Sequence, residues 1–191
     1  MRLSIRDLAG DELLAGSVEG AALLSKLIPS VATTSSPGVV YLDFSAVRVA
    51  TGSYLRESVL GFRDYCRRSR PELYPVVANP NEKVLDELRY LLKEKGDAVV
   101  VCELAATESP SNARVLGILE EKQTVTLLAV LEAGEADAAS LRKRARRSES
   151  ISLTGWNNRL ASLSSKGLLI ETRRGRSKWY RPVMERMTYG S

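Results

Sequence analysis

Residues 152–183 read SLTGWNNRLASLSSKGLLIETRRGRSKWYRPV. Ser152 is a natural helix N-cap, because its hydroxyl can accept an N–H from the first turn. Leu153, Trp156, Leu160 and Leu163 then recur at three and four, the period of a helix face turned toward a core. Gly167 marks the stop, and two strand-like runs flank the turn RRGRSK, in which Gly175 gives the backbone its freedom. The stretch therefore predicts a helix, a glycine stop and a β-hairpin.

At 100° per residue, Thr154, Asn158, Ala161 and Ser165 lie opposite the apolar face, with Asn157, Arg159 and Ser162 on its flanks. A solvated helix face usually carries Glu and Lys pairs. This one carries small neutral hydrogen-bonding groups. They suit close entry into a DNA major groove, where Asn pairs with adenine and a bulky side chain would block approach. A merely polar outer face would look the same. In the hairpin, Arg173, Arg174, Arg176 and Lys178 have no acid among them in the turn. Such a tip repels itself unless a polyanion is present, and guanidinium groups bind phosphate as planar forks or enter a minor groove. Trp179 and Tyr180 read as hairpin packing.

Upstream, RVLGILEEKQTVTLLAVLEAG (114–134) reads as an amphipathic helix closed by Gly134, and ADAASLRKRARR (136–147) as a shorter one. The second ends in Arg142, Lys143, Arg144, Arg146 and Arg147, and SESI (148–151) is a turn. Helix, helix, turn, helix and hairpin in under 80 residues is the plan of a winged helix-turn-helix. In that plan the turn before the third helix lies beside the phosphate backbone, which gives Arg142, Lys143, Arg146 and Arg147 a positioning role.

The segment from about residue 118 to 183 resembles the winged helix-turn-helix domains of bacterial regulators. The resemblance rests on WNNRLASLSSKGLL (156–169): a helix ending in Arg-Leu, a Leu three on, and Lys-Gly-Leu leading into the wing. It implies double-stranded DNA as partner. Ser152, Thr154, Asn157, Asn158 and Arg159 would stand on the reading helix, and Arg173, Arg174, Arg176 and Lys178 on the wing. Some winged helices bind only protein.

Residues 1–105 alternate strand and helix, which predicts a layered α/β domain. VVYLDF (39–44) and DAVVVCEL (97–104) are dense enough in β-branched residues for buried strands. LYPVVA (73–78) is a short strand that Pro75 would place at an edge or a strand start. NPNEKVLDELRYLLKEKG (79–96) is a helix capped by Asn79 or Asn81 and ended by Gly96. A helix is also expected from Asp11 to Pro29, and another from Ser53 to Pro71. AATESPSN (105–112) reads as a junction, so residues 1–110 and 114–191 are expected as separate domains.

YLDFSAVRVATGSYLRESVLGF (41–62) resembles the central segment of STAS-like domains, the fold of anti-sigma-factor antagonists. The shared features are a strand ending Leu-Asp-Phe-Ser, a short apolar link and a serine opening a helix. Ser53 matches the serine phosphorylated in such antagonists, although Thr51-Gly52 stands where their Asp-Ser pair would be. SYLRE (53–57) matches an uncharacterised STAS-like group. The resemblance implies a layered α/β domain that senses a signal, binds a protein partner or dimerises. Ser53 reads either as a helix N-cap or as a phosphorylation switch at a helix N-terminus. A chain built for partner binding alone, with the winged helix as a docking surface, is the alternative to a DNA-binding regulator.

Composition narrows the classes. Of the 28 Lys+Arg and 23 Asp+Glu, residues 141–191 hold 13 and 3, a local net of +10; the remainder is net −5. That asymmetry points a polyanion to the C-terminal part. There is no histidine, and Cys66 and Cys102 are the only cysteines. This excludes a zinc site of four cysteines or of cysteine with histidine, and a serine-histidine-aspartate triad. The scarcity of cysteine also argues for a reducing cytosol, which the resemblance to bacterial regulators implies is a bacterial cytoplasm. No phosphate loop or dinucleotide glycine pattern occurs, no apolar run reaches membrane-spanning length, and no enzyme activity or cofactor is expected.

Overall fold

The computed structural model describes residues 1–31, 36–107, 109–144 and 151–190. The chain is α/β. Its first half comprises β1 (Arg2–Ser4), α1 (Ile5–Ala9), β2 (Leu13–Leu14), α2 (Ser17–Leu27), β3 (Gly38–Asp43), β4 (Val49–Ala50) and α3 (Gly52–Leu55). A π-helical turn, Arg56–Leu60, joins α3 to α4 (Gly61–Ser69). β5 (Leu73–Ala78), α5 (Glu82–Lys95), β6 (Ala98–Leu104) and β7 (Pro110–Gly117) follow.

Five of these strands form one sheet in the order β1-β3-β5-β6-β7, with β7 alone antiparallel. The parallel strands step across the sheet in one direction. Right-handed crossovers then place every connecting helix on the same face. That face is closed by one core in which Leu42, Val77, Val99 and Val101 of the sheet meet Leu23, Leu27, Leu55, Val59, Phe62, Leu88 and Leu92 of the helices.

The opposite face is covered by the rest of the chain: α6 (Glu121–Ala133), α7 (Ala138–Arg144), α8 (Leu153–Ser165), β8 (Leu169–Arg174) and β9 (Ser177–Pro182). Here Tyr74, Val76, Val100, Cys102, Leu104 and Val115 share a second core with Leu127, Val130, Trp156, Leu160, Leu163, Leu169 and Tyr180. Strands buried on both faces read as continuous apolar runs, as 39–44 and 97–104 do.

The junction expected at 105–112 is not a linker. After a turn the chain enters β7, whose Ala113 and Val115 belong to the second core and whose Leu116 belongs to the first. The expected boundary between 110 and 114 therefore falls inside a sheet strand, and the two parts of the chain share a core. The helix expected from Arg114 begins only at Glu121. Gly117 separates strand from helix at φ 113°, where a Cβ would lie 2.3 Å from the Asp97 carbonyl. The apolar run Val115–Leu119 imitates a helix face because it serves both cores in turn.

Two smaller expectations also change, and a third is resolved between its alternatives. β5 is central, not an edge; Pro75 sits opposite Val40 of β3, and the β6 ladder starts only at Val77, so no donor is missed there. The helix expected from Asp11 starts at Ser17, because Leu13 and Leu14 pair with Val49 and Ala50. Asn81, not Asn79, caps α5, and Gly96 ends it in the left-handed region.

Candidate functional site

α8 forms as its sequence prescribes. The Ser152 hydroxyl accepts the Gly155 N–H at 3.0 Å, and Trp156, Leu160 and Leu163 are buried. Leu153 is not: it is 40% exposed, since the first residue of the helix overhangs the core. Trp156→Ala should cost about 3–5 kcal/mol, the usual loss for a buried aromatic. Denaturant unfolding measures it, and a variant with the parent's midpoint would show the indole to be dispensable.

The outward stripe lies where expected. Thr154, Asn157 and Asn158 are exposed, and their side chains make no hydrogen bond with any described residue. Arg159 is half-buried, its guanidinium 5.6 Å from the Trp156 ring centroid, so it is a packing group as well as a charge. Ser162 accepts a bond from Gln123 of α6 at 2.8 Å, which ties the two helices together. Ser152 is committed to its cap. Arg142 and Lys143 are exposed on the last turn of α7. Arg146 and Arg147 lie outside the described residues.

The hairpin is built on paired strands up to a two-residue turn. Arg174 faces Ser177, and Gly175 has φ 60°, the first central position of a II′ turn. Strand alternation divides its cations. Arg173 and Lys178, cross-strand neighbours, share a face with Glu171 and Tyr180. Arg174 falls on the other face, 4.9 Å from the Trp179 ring centroid, and donates to Glu135 at 2.7 Å. The expectation of a tip free of acids is thus corrected for two members. Lys178 pairs with Glu171 at 2.8 Å and Arg174 with Glu135, because the acids come from neighbouring elements. Arg173 and Arg176 are exposed and form no ion pair with a described residue.

The hairpin has a third partner. Ala136, between α6 and α7, exchanges backbone bonds with Tyr180 at 2.9 and 2.8 Å. The far end of α8 is bolted to the sheet. Lys166 reaches Asp97 at 2.9 Å, Asp97 also holds Arg63 at 2.8 Å, and the Arg63 guanidinium donates to the Ala98 carbonyl. Burial would raise the Asp97 carboxyl; Arg63 and Lys166 outweigh it and hold it below the usual carboxylate range. The Glu171 N–H donates to the Tyr74 hydroxyl at 3.2 Å. α8 and the hairpin are therefore positioned by the sheet as much as by their own helices.

At the other end of the sheet, Ser53 is not the N-cap. Thr51 takes that place, accepting from the Tyr54 N–H, and Ser53 lies inside the first turn with its hydroxyl 3.2 Å from that of Thr51. The Glu87 carboxylate already accepts the Gly52 N–H at 2.7 Å. A phosphate on Ser53 would share this helix start with an anion, which removes the electrostatic reason for a switch there. Asp43 is structural: it is 3% exposed and is bonded by Arg2, Ser45 and Asn79.

Among the described residues, no group of three His, Cys, Asp or Glu could hold a metal, and no helix is long and apolar enough to cross a membrane. Burial pushes the thiols of Cys66 and Cys102 up to about 11 and about 12, which removes their nucleophilicity near neutral pH. Comparison with protein-family profiles, curated proteins and solved structures finds no match to this chain.

Proposed function

We propose that the chain is a DNA-binding regulator of the bacterial cytoplasm. In this reading residues 118–183 act as a winged helix-turn-helix, and the sheet unit, STAS-like in its segment 41–62, carries a signal, a protein partner or a second copy. The observation that carries the reading is the unspent hydrogen-bonding stripe Thr154, Asn157 and Asn158 at the free end of α8. It stands with Arg142, Lys143, Arg173 and Arg176, which no described acid neutralises. The Ala136–Tyr180 bridge adds support, since it ties the hairpin to the start of α7 and fixes the wing beside the helix.

The roles divide by chemistry. Phosphate contacts are the same at every step and give affinity; base-edge contacts give choice. Asn158→Ala is expected to cost roughly 1–3 kcal/mol on the preferred site and little on a scrambled one. Arg176→Ala is expected to weaken both equally and to lower the log–log salt slope by about 1. The preferred site comes from selection on a random duplex pool, and titration of each variant at two salt concentrations separates the two effects. If Asn158→Ala lowers both duplexes alike, α8 does not read bases. If no duplex is retarded at low salt, the proposed function fails.

A further inference from the structure

The outward stripe of α8 ends at a groove. Its last members, Ala161 and Ser165, line a groove of about 390 Å³ together with Ser164. The facing walls are Arg67, Pro71 and Tyr74 of the sheet unit and Glu171 and Arg173 of the hairpin. We propose that this groove seats the sugar-phosphate backbone of the DNA flanking the site, so that the end of α4 is part of the DNA-binding surface. The inference rests on the function proposed above and extends it to a part of the chain with a net acidic composition.

Dimensions support it first. From Thr154 to Ser165 the helix rises about 16 Å at 1.5 Å per residue, whereas the major groove is about 12 Å wide. With Thr154 at base edges, Ser165 lies beyond the rim, where the phosphates are. Pro71 and Tyr74 line the same groove as this end of α8. With Thr154 so placed the helix crosses the backbone, and what crosses it is Ala161, Ser164 and Ser165, none of which is bulky enough to hold a phosphate off.

Charge supports it next. Arg67 is held in place: its guanidinium carbon lies 3.9 Å from the Tyr74 ring centroid, and it donates to the Leu73 carbonyl. Its Nε is buried without a partner. Neither Arg67 nor Arg173 forms an ion pair with a described residue. Glu171, the one acid in the lining, is already engaged by Lys178 at 2.8 Å and by the Tyr180 hydroxyl at 3.1 Å. The groove thus has two guanidiniums, Arg67 and Arg173, in its lining together with the small residues Ala161, Ser164 and Ser165, a composition that a phosphodiester chain fits.

The test uses the full chain and a duplex carrying the selected site, with and without flanking base pairs. Ser165 is exposed and its hydroxyl bonds only within its own turn, to the Ser162 carbonyl, so Ser165→Glu and Ser165→Lys both keep the fold, which thermal melting checks. Ser165→Glu should weaken binding to the long duplex about tenfold at low salt, with the loss shrinking as salt rises. Ser165→Lys should bind at least as tightly as the parent. On the duplex trimmed of its flanks all three should converge. If Ser165→Glu binds the long duplex like the parent while Arg176→Ala weakens it, the groove inference is overturned and the proposed function stands. If polyglutamate binds the parent, loses affinity with Ser165→Glu, and duplex binding is unchanged by that substitution, the groove belongs to an acidic protein partner and the inference is likewise overturned. If the parent binds no duplex, both fall together.

Discussion

Residues 1–117, expressed without the rest of the chain, will not form a native sheet. Removing the C-terminal part strips one face of the sheet of its cover and exposes Tyr74, Val76, Val100, Cys102, Leu104 and Val115 together. Each buried apolar side chain of this size contributes about 1.5–3 kcal/mol, so the loss is on the order of 10 kcal/mol, comparable to the whole stability of a domain at about 5–15 kcal/mol. The fragment is expected to bind hydrophobic dyes and to melt without a cooperative transition. The full chain should unfold in one step, with far-ultraviolet and tryptophan signals coincident, although both tryptophans lie in the C-terminal part. Cleavage in the turn before β7 should yield a nicked complex that stays together. A fragment that melts sharply near the parent's midpoint would show that the shared core is dispensable.

Asp97→Asn is expected to be the most damaging single polar change. Asp97 is 14% exposed and holds Arg63, 10% exposed, together with Lys166. Its loss leaves the Arg63 guanidinium with Asp64, which is half exposed, as its remaining anion. Breaking a buried pair from one side costs about 3–5 kcal/mol; the partial exposure here argues for the lower end. The pH dependence has a defined sign. The Asp97 carboxyl is depressed in the folded chain, so its contribution is complete above the ordinary carboxylate value near 4. It is lost as pH falls through the folded-state value. Asp43 is depressed too: burial opposes ionisation, and Asn79, Arg2 and Ser45 outweigh it. Some acid sensitivity should therefore remain in the variant, but the stability gap between parent and Asp97→Asn should close below pH 4. A gap that does not narrow at all as pH falls below 4 would mean that the side chain matters by shape and not by charge.

Most local signals in the sequence are legible. The Ser152 cap, the Trp156–Leu160–Leu163 face, the Gly175 turn, the Asn81 and Gly96 ends of α5 and the buried runs of β3 and β6 all follow from neighbours a few residues apart. What is not legible there is mostly long-range. β7 looked like the start of a helix because a strand that faces two cores shows no alternation. Thr51 displaced Ser53 as cap through a choice between hydroxyls two residues apart. The acids that neutralise Arg174 and Lys178 sit 39 and 7 residues away, at Glu135 and Glu171. Arg67 and Tyr74 were missed beside α8 for a different reason. The cluster RDYCRRSR (63–70) was visible, but summing charge over the acidic half concealed it.

The one-sided placement of the crossover helices sets an order for synthesis. When β6 has left the ribosome, four parallel strands can assemble under their helices, yet the other face has nothing to meet. Its cover arrives last. The final tie is later still, because Thr188 exchanges backbone bonds with Ala113 and Val115 along the outer margin of β7, and the Tyr189 hydroxyl receives the Leu119 N–H. A nascent chain paused anywhere between residue 118 and residue 187 thus presents an oily sheet and an open strand to its surroundings, a natural client for a holding chaperone and a ready template for aggregation.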